Sequence, residues 1–184
     1  ARLETMLTEF FKQHPDEKII IFTYFRKTIS YLNERLSEAG ISSQMIMGGM
    51  KEGKDDAIRR FQTESSTRVL IASEVASEGV DLQFCRVLVN YDLPWNPMKV
   101  EQRIGRIDRI GQKADKITVW NMFYANTVDA RIYERLHQRL EIFEYALGGL
   151  EAVLGDEIKQ LSYDLLSGRL SPDEEEERIR QTEQ

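Results

Sequence analysis

The feature that most restricts this chain is a rhythm. Short, continuous runs of β-branched and apolar residues recur with helical or turn-forming segments between them. KIIIFT (18–23), SQMIM (43–47), RVLIAS (68–73), RVLVNYD (86–92) and KITVWNMFY (116–124) read as strands. Most of these runs are apolar throughout rather than alternating, so such strands must be covered on both faces, which is the situation of a parallel sheet between two layers of helices. The intervening segments fit that role. Ile29, Leu32, Leu36 and Ala39 follow helical spacing, with Gly40 as the stop. Residues 54–63 place Ala57, Ile58 and Phe61 inward, and a further helix is expected over 98–110. Ahead of the first strand, Leu3, Met6, Leu7, Phe10 and Phe11 mark an amphipathic helix over 2–13, closed by Pro15 and Asp16. In a sheet of this kind the ligand site lies beyond the carboxyl ends of the strands. That points to the loops 23–27, 47–53, 73–82 and 92–99 and to the start of the helix at 98.

After Tyr124 the character changes. Asn126 or Thr127 can cap a helix bearing Val128, Ile132, Leu136, Leu140, Phe143 and Leu147 on one stripe. Gly148 and Gly149 break it, and a second helix with Leu150, Val153, Leu154, Ile158, Leu161 and Leu165 is expected to follow. The division expected is therefore 1–126 as an α/β domain and 127–184 as a helical extension with an acidic tail. The net charge of −6 argues against a uniformly basic nucleic-acid binder. Much of that charge sits in residues 173–184, which carry six acids against two bases, so a local basic groove in the rest of the chain is allowed.

Several chemistries are disfavoured. Cys85 is the single cysteine, so neither an internal disulfide nor a cysteine metal cluster can form. His14 and His137 lack ligand spacing, and no metal site is expected. The apolar runs are too short to cross a bilayer, and the first residues lack the order of a signal peptide. A membrane partner is not expected. The start at Ala1, directly in an amphipathic pattern, reads like a piece of a larger protein, with a cytoplasmic location expected.

The segment QRIGRIDRIGQ (102–112) carries the most chemistry. On a helix, Ile104 and Ile107 share a face with Val100, while Gln102, Arg106 and Arg109 fall on the opposite face. Two guanidiniums one turn apart make a fork suited to phosphate oxygens. By charge spacing alone, an arginine-rich, salt-bridged surface helix is the stronger reading. In the loop after the third strand, Ser73, Ser77 and Gly79 form a tight polar turn. Asp81 there can accept hydrogen bonds from a ribose hydroxyl or simply cap the turn. Lys51 and Lys54 flank a glycine-rich loop and can contact phosphates or stand as solvated lysines. Tyr24, Phe25 and Arg26 follow a strand end and could touch a base or a phosphate backbone, although a buried Phe25 is the plainer reading.

QRIGRIDRIGQ resembles motif VI of superfamily 2 helicases, and its R-x-G-Q ending is similar to the SWI/SNF branch. ASEVASEGVDLQ (72–83) resembles motif V, KIIIFTYFRKTISYLNERL (18–36) motif IV, and GGMKEGKDDAIRRFQ (48–62) the loop and helix after it. The matches occur in the family's order and on the expected elements. The resemblance implies the second of two RecA-like lobes, with ATP in the cleft between them and a nucleic-acid-stimulated ATPase as the whole. The first lobe would carry the phosphate loop and the carboxylates holding Mg²⁺. This chain has no such loop, since Gly53-Lys54 lacks the spacing and is followed by Asp55. It is therefore expected not to hydrolyse ATP alone.

The resemblance further implies that Arg106 and Arg109 are arginine fingers. It places Gln102 at a position contacting phosphate or the opposite lobe, Gly79 and Asp81 near the nucleotide, and Ser73 on the nucleic-acid backbone. Arg103, one residue off the finger face, is expected to form a salt bridge or orient backbone. KITVWNMFYANTVDARIYERL (116–136) resembles the SWI/SNF continuation and LEIFEYALGG (140–149) that of the bacterial RNA-polymerase-associated, RapA-like ATPases. The implied partners are double-stranded DNA, the first lobe and RNA polymerase. GVDL departs from the G-[LI]-N-L of eukaryotic remodellers, which puts chromatin as substrate in doubt. An RNA helicase or remodeller lobe is the alternative within the class, although Glu78 stands where many RNA helicases have arginine. A degenerate protein-docking scaffold is the alternative outside it, opposed by the intact Arg106 and Arg109.

Overall fold

The computed structural model describes residues 2–50, 53–74, 79–94, 97–109, 111–125, 127 and 130. Within them, α1 (Arg2–Gln13), β1 (Ile19–Phe22), α2 (Arg26–Glu38), β2 (Ser43–Ile46), α3 (Lys54–Thr63), β3 (Val69–Ala72), β4 (Val87–Asn90), α4 (Pro97–Ile104) and β5 (Thr118–Asn121) follow in order. The five strands form one sheet in the order β2-β3-β1-β4-β5, and every pairing is parallel. This is the parallel α/β sheet that the run pattern called for, and it fits the RecA-like lobe that the motif resemblance implied.

Position in the sheet explains each strand's composition. The three inner strands are IIIF, VLIA and VLVN, and all their residues are buried. The edge strands β2 and β5 are mostly half-buried and carry Ser43, Gln44, Thr118 and Asn121. Alternation divides the core in two. Ile19 and Ile21 of β1, with Val69, Ile71, Val87 and Val89, meet Leu3, Leu7 and Phe11 of α1 and Ile29, Leu32 and Leu36 of α2. Ile20 and Phe22, with Leu70, Ala72 and Leu88, meet Ala57 and Phe61 of α3 together with Val80, Leu82, Cys85 and Ile107. The second face is thus closed partly by a helix and partly by the β3–β4 connection and the segment after α4.

The helix ends follow local rules. Gly40 (φ +72°) closes α2 in a Schellman arrangement: Ile41 N–H donates to Leu36 O at 2.8 Å and Gly40 N–H to Ser37 O at 3.0 Å. The helix expected over 98–110 is shorter. α4 ends at Ile104, because Gly105 interrupts it, and the chain continues in tighter turns.

The chain divides into two compact units, residues 1–92 with 102–122 and residues 93–101 with 123–184. In the second unit the Thr127 hydroxyl donates to Tyr124 O at 2.7 Å and accepts from Ala130 N–H at 3.4 Å, so Thr127 serves as the cap. The helical extension expected beyond it lies outside the described residues, as do Lys51, Ser77 and Glu78.

Candidate functional site

At the carboxyl ends of β1, β3 and β4 sits a buried arginine. Arg103, the penultimate residue of α4, is 2% exposed. Its Nη1 donates to Asn90 Oδ1 at 2.8 Å and to the Asp92 carbonyl at 3.0 Å, and its Nη2 lies 3.5 Å from Glu74 Oε2. The guanidinium stands 4.7 Å from the centre of the Tyr24 ring and 5.4 Å from that of Phe22. A charge taken out of water needs such company, since an unpaired one costs several kcal/mol, roughly. Burial pulls the Arg103 pKa down, while Tyr24, Glu74 and Asp92 pull it up. Arginine's basicity keeps it charged throughout. The surrounding groups are tied together as well. Asn90 Nδ2 donates to Asn121 Oδ1 at 2.7 Å, linking β4 to β5. The Asp92 carboxylate accepts from the Thr23 hydroxyl and from Tyr24 N–H at 3.2 Å. Burial lifts the Tyr24 phenol to about 12 against the pull of Arg103, with Glu74 and Asp92 adding to the rise. Arg103, expected to form a salt bridge or orient backbone, does so with the Glu74 carboxylate and the Asp92 carbonyl.

Phe25, expected to be buried, is instead 64% exposed, and Tyr24 is 42% exposed. The strand ends at Phe22 and Asp92 turns the chain at Thr23 and Tyr24, so the alternation that buried Phe22 stops. Phe25 becomes the extended N-cap residue of α2 (φ −94°, ψ 123°), ahead of the buried stripe that begins at Ile29.

From Arg103 the chain runs across the second face of the sheet. Arg106 N–H donates to Arg103 O at 3.1 Å, Ile107 N–H to Ile104 O at 2.9 Å, Asp108 N–H to Ile104 O at 2.8 Å, and Gln112 N–H to Arg109 O at 2.9 Å. Ile107 is fully buried, half-buried Arg106 and exposed Arg109 flank it, and Gln102 is exposed on α4. Arg106 and Arg109 therefore stand on turns, not on a helix face. Among the described residues neither guanidinium has an ion pair or a hydrogen bond. Gln112 ends the segment. Its Nε2 donates to Cys85 O at 2.9 Å and Ile107 O at 3.0 Å, and its Oε1 accepts from Ala114 N–H at 3.0 Å.

The remaining candidates lie on separate loops. Gly79 has φ +72°, a conformation that favours glycine. The Asp81 carboxylate accepts from Gln83 N–H at 3.3 Å and from Gln83 Nε2 at 3.1 Å, so the turn-capping bonds are made while Asp81 stays exposed. Ser73, 7% exposed, accepts from Gly48 N–H at 2.9 Å and thereby ties the glycine loop after β2 to the end of β3. Lys54 opens α3 after Gly53 (φ +80°), and Arg26 opens α2 and is exposed. Lys51 lies outside the described residues. The structure thus joins Ser73 to the glycine loop after β2, and among the described residues Asp81 makes no bond to Arg106 or Arg109. Sequence reasoning passed over Asn90, Asp92, Thr23 and Gln112. A readable signal existed for Asn90: an amide closing the buried run VLVN demands a buried partner.

The segment order, the sheet and the turn arginines can be set against known proteins. Residues 1–111 match the family described as the helicase conserved C-terminal domain. This chain belongs to that family. The chain is 45% identical over 139 residues to the uncharacterized ATP-dependent helicase YqhH of Bacillus subtilis strain 168, covering 76% of this chain and 25% of that protein. It therefore spans about a quarter of that relative's length. The C-terminal part of the Fun30 ATPase domain superposes with a TM-score of 0.66 at 20% identity, covering 90% of this chain and 53% of that one, a likeness of fold. The E. coli DEAD-box protein SrmB matches at 32% identity and TM-score 0.54 over 64% of this chain and 69% of its own. The helicase domain of Pyrococcus furiosus Hef matches at 25% identity and TM-score 0.58, over 74% and 28% respectively. No helix among the described residues is long and apolar enough to cross a membrane.

Proposed function

We propose that this chain is the second motor lobe of an ATP-dependent, SWI/SNF-like translocase on double-stranded DNA, supplying Arg106 and Arg109 to ATP held by a first lobe. The observation that carries the reading is the turn after α4, which presents two guanidiniums without partners among the described residues, flanking the buried Ile107. Two guanidiniums unpaired among the described residues, beside one anchored residue, suit an anionic ligand. They fit a phosphate group, whereas nothing in the sequence supplies a phosphate-cradling loop. ATP bound between two lobes would supply the phosphoryl group whose transfer these arginines assist. Their part is to place positive charge where negative charge develops on the phosphoryl oxygens, typically worth roughly 10³–10⁵ in rate. Gln102, Gly79 and Asp81 complete the nucleotide side in this reading. Ser73, Lys51, Lys54 and Arg26 form the nucleic-acid side, and Mg²⁺ belongs mainly to the first lobe. The R-x-G-Q ending supports a SWI/SNF-type motor, and the RapA-like continuation supports RNA polymerase as a partner and a nucleoid location. In this reading the lobe spans residues 1–126 and an extension spans 127–184.

The likeness to the DEAD-box SrmB at 32% identity favours a second reading, an RNA helicase lobe. ATPase assays of the full-length polypeptide with double-stranded DNA, single-stranded DNA and RNA separate the two. Stimulation chiefly by duplex DNA is expected, and stimulation by RNA alone selects the second reading. In the same assay Arg106→Ala and Arg109→Ala should each lower kcat by about 10³-fold or more while KM for ATP changes little, because such contacts act mainly in the transition state. Near-native turnover in both variants removes the assignment.

A further inference from the structure

The turn that carries Arg106 and Arg109 is fixed at both of its ends by residues that the proposed function does not use. At one end Arg103 is bonded to Asn90 and to the Asp92 carbonyl, at the carboxyl end of β4. At the other end Gln112 bonds Cys85 O, which precedes β4. The segment between them therefore runs along β4, from its carboxyl end to its amino end. Ile107, fully buried among Val80, Leu82 and Leu88, pins its middle.

The Gln112 side chain uses its amide as a peptide group would. Both protons of Nε2 are spent on carbonyls, one of Cys85 and one of Ile107, and Oε1 takes the Ala114 N–H. Ile107 O lies in the turn itself, between the two arginines, so the amide closes the turn and bolts it to the β3–β4 connection in one step. The residue before it, Gly111 (φ +104°), packs against a different side chain: a Cβ there would lie 2.7 Å from Gln83 Oε1. A solvent-exposed arginine has several rotatable bonds, and one placed on an untethered turn would spend much of its time elsewhere. A guanidinium must meet the reacting oxygens within a fraction of an ångström to act, and misplacement by about 1 Å from a distant change can cost roughly 10²-fold.

We propose that Gln112, together with Arg103, is a positioning residue that holds the turn bearing Arg106 and Arg109 in register with the sheet, so that the R-x-G-Q ending is a structural clamp on the arginines rather than a ligand contact. The inference rests on the reading of Arg106 and Arg109 as phosphate-facing groups.

Gln112 is half-exposed and bonds only backbone, so its replacement leaves the core intact. Gln112→Glu keeps the shape but sets a carboxylate against two carbonyl oxygens, and Gln112→Ala removes all three bonds. In the full-length polypeptide both variants should lower kcat for nucleic-acid-stimulated ATP hydrolysis by roughly 10- to 100-fold, with KM for ATP within about twofold. Hydrogen exchange at the amides of Ile107, Asp108 and Gln112 should accelerate while that of β1 and β3 stays slow. In an Arg106→Ala, Arg109→Ala background, Gln112→Ala should add little further loss, since a residue acting through the arginines has nothing left to position. If the arginine variants lose turnover but Gln112→Glu and Gln112→Ala keep it, the clamp is overturned and the arginine assignment stands. A full, independent loss from Gln112→Ala in the arginine-free background also overturns it. If the arginine variants keep turnover, the underlying reading fails and the clamp falls with it.

Discussion

Arg103 shows how one residue's environment decides its role. Three arginines, Arg103, Arg106 and Arg109, stand in one short segment with the same charge and reach. Arg103 is buried against Asn90, Asp92 and Glu74, whereas the other two have no partners among the described residues. Burial likewise settles Cys85. Its Sγ donates to Lys18 O at 2.9 Å, the residue is 1% exposed, and burial raises the thiol from its ordinary value near 9 to about 12. The thiolate is the reactive species, so the folded protein should resist alkylation by iodoacetamide at pH 8 and react only when unfolded in guanidinium. Mass spectrometry of the two samples checks this, and native labelling at the unfolded rate would contradict the burial. The linkage sign follows from the same shift. Between about pH 9 and 12 the unfolded chain releases this proton and the folded chain keeps it, so the contribution of Cys85 to stability is intact below pH 9 and is lost as pH rises through that window.

At the level of elements, glycines mark where regular structure stops. Gly40 and Gly105 sit where α2 and α4 end, the first in a left-handed conformation, the second as the residue after Ile104. Gly111 combines two constraints, a φ of +104° and the Gln83 side chain against its missing Cβ. Gly111→Ala should destabilise the fold by about 1–3 kcal/mol, the cost of holding a non-glycine residue in such a backbone state. The Gln83 amide is the far end of a flexible chain and can move, whereas φ cannot. Most of the loss should therefore persist in Gly111→Ala combined with Gln83→Ala. Urea unfolding midpoints decide between them, and recovery in the double variant would show that crowding, not backbone strain, sets the cost.

On the scale of the whole molecule, the described sheet is covered on both faces, and the proposed function divides the ATP chemistry between two lobes. This chain by itself should fold cooperatively and show no ATP hydrolysis, because its sequence has no phosphate loop and the proposed function assigns the Mg²⁺ carboxylates to a first lobe. Hydrolysis by rigorously pure chain would refute that division. With a net charge of −6 it should bind DNA weakly, through backbone phosphates and with little sequence preference, and binding should fall steeply with salt. Lys51→Glu with Lys54→Glu should weaken it further. Removing residues 172–184, which carry much of the acid, should tighten it. Titrations at two salt concentrations check each point, and unchanged affinity in the lysine variant would move the nucleic-acid face elsewhere.

The strands, their parallel arrangement and the helices α1, α2 and α3 were legible in the sequence, because continuous β-branched runs and i, i+3, i+7 stripes express burial directly. The motif residues were legible as residue types at fixed spacing. What only the tertiary structure decided was which of those polar residues are spent internally. Asp92 folds back on Thr23 and Tyr24, Asp81 on Gln83, Ser73 on Gly48, and Gln112 on Cys85 and Ile107. Most of these pairs are distant in sequence, and their partners are often backbone groups, which carry no residue signature. The exposure of Phe25 and the early end of α4 have the same origin. A strand's length and a helix's stop depend on where neighbouring strands and turns offer hydrogen bonds, and that is set by the assembled sheet, not by the local run of side chains.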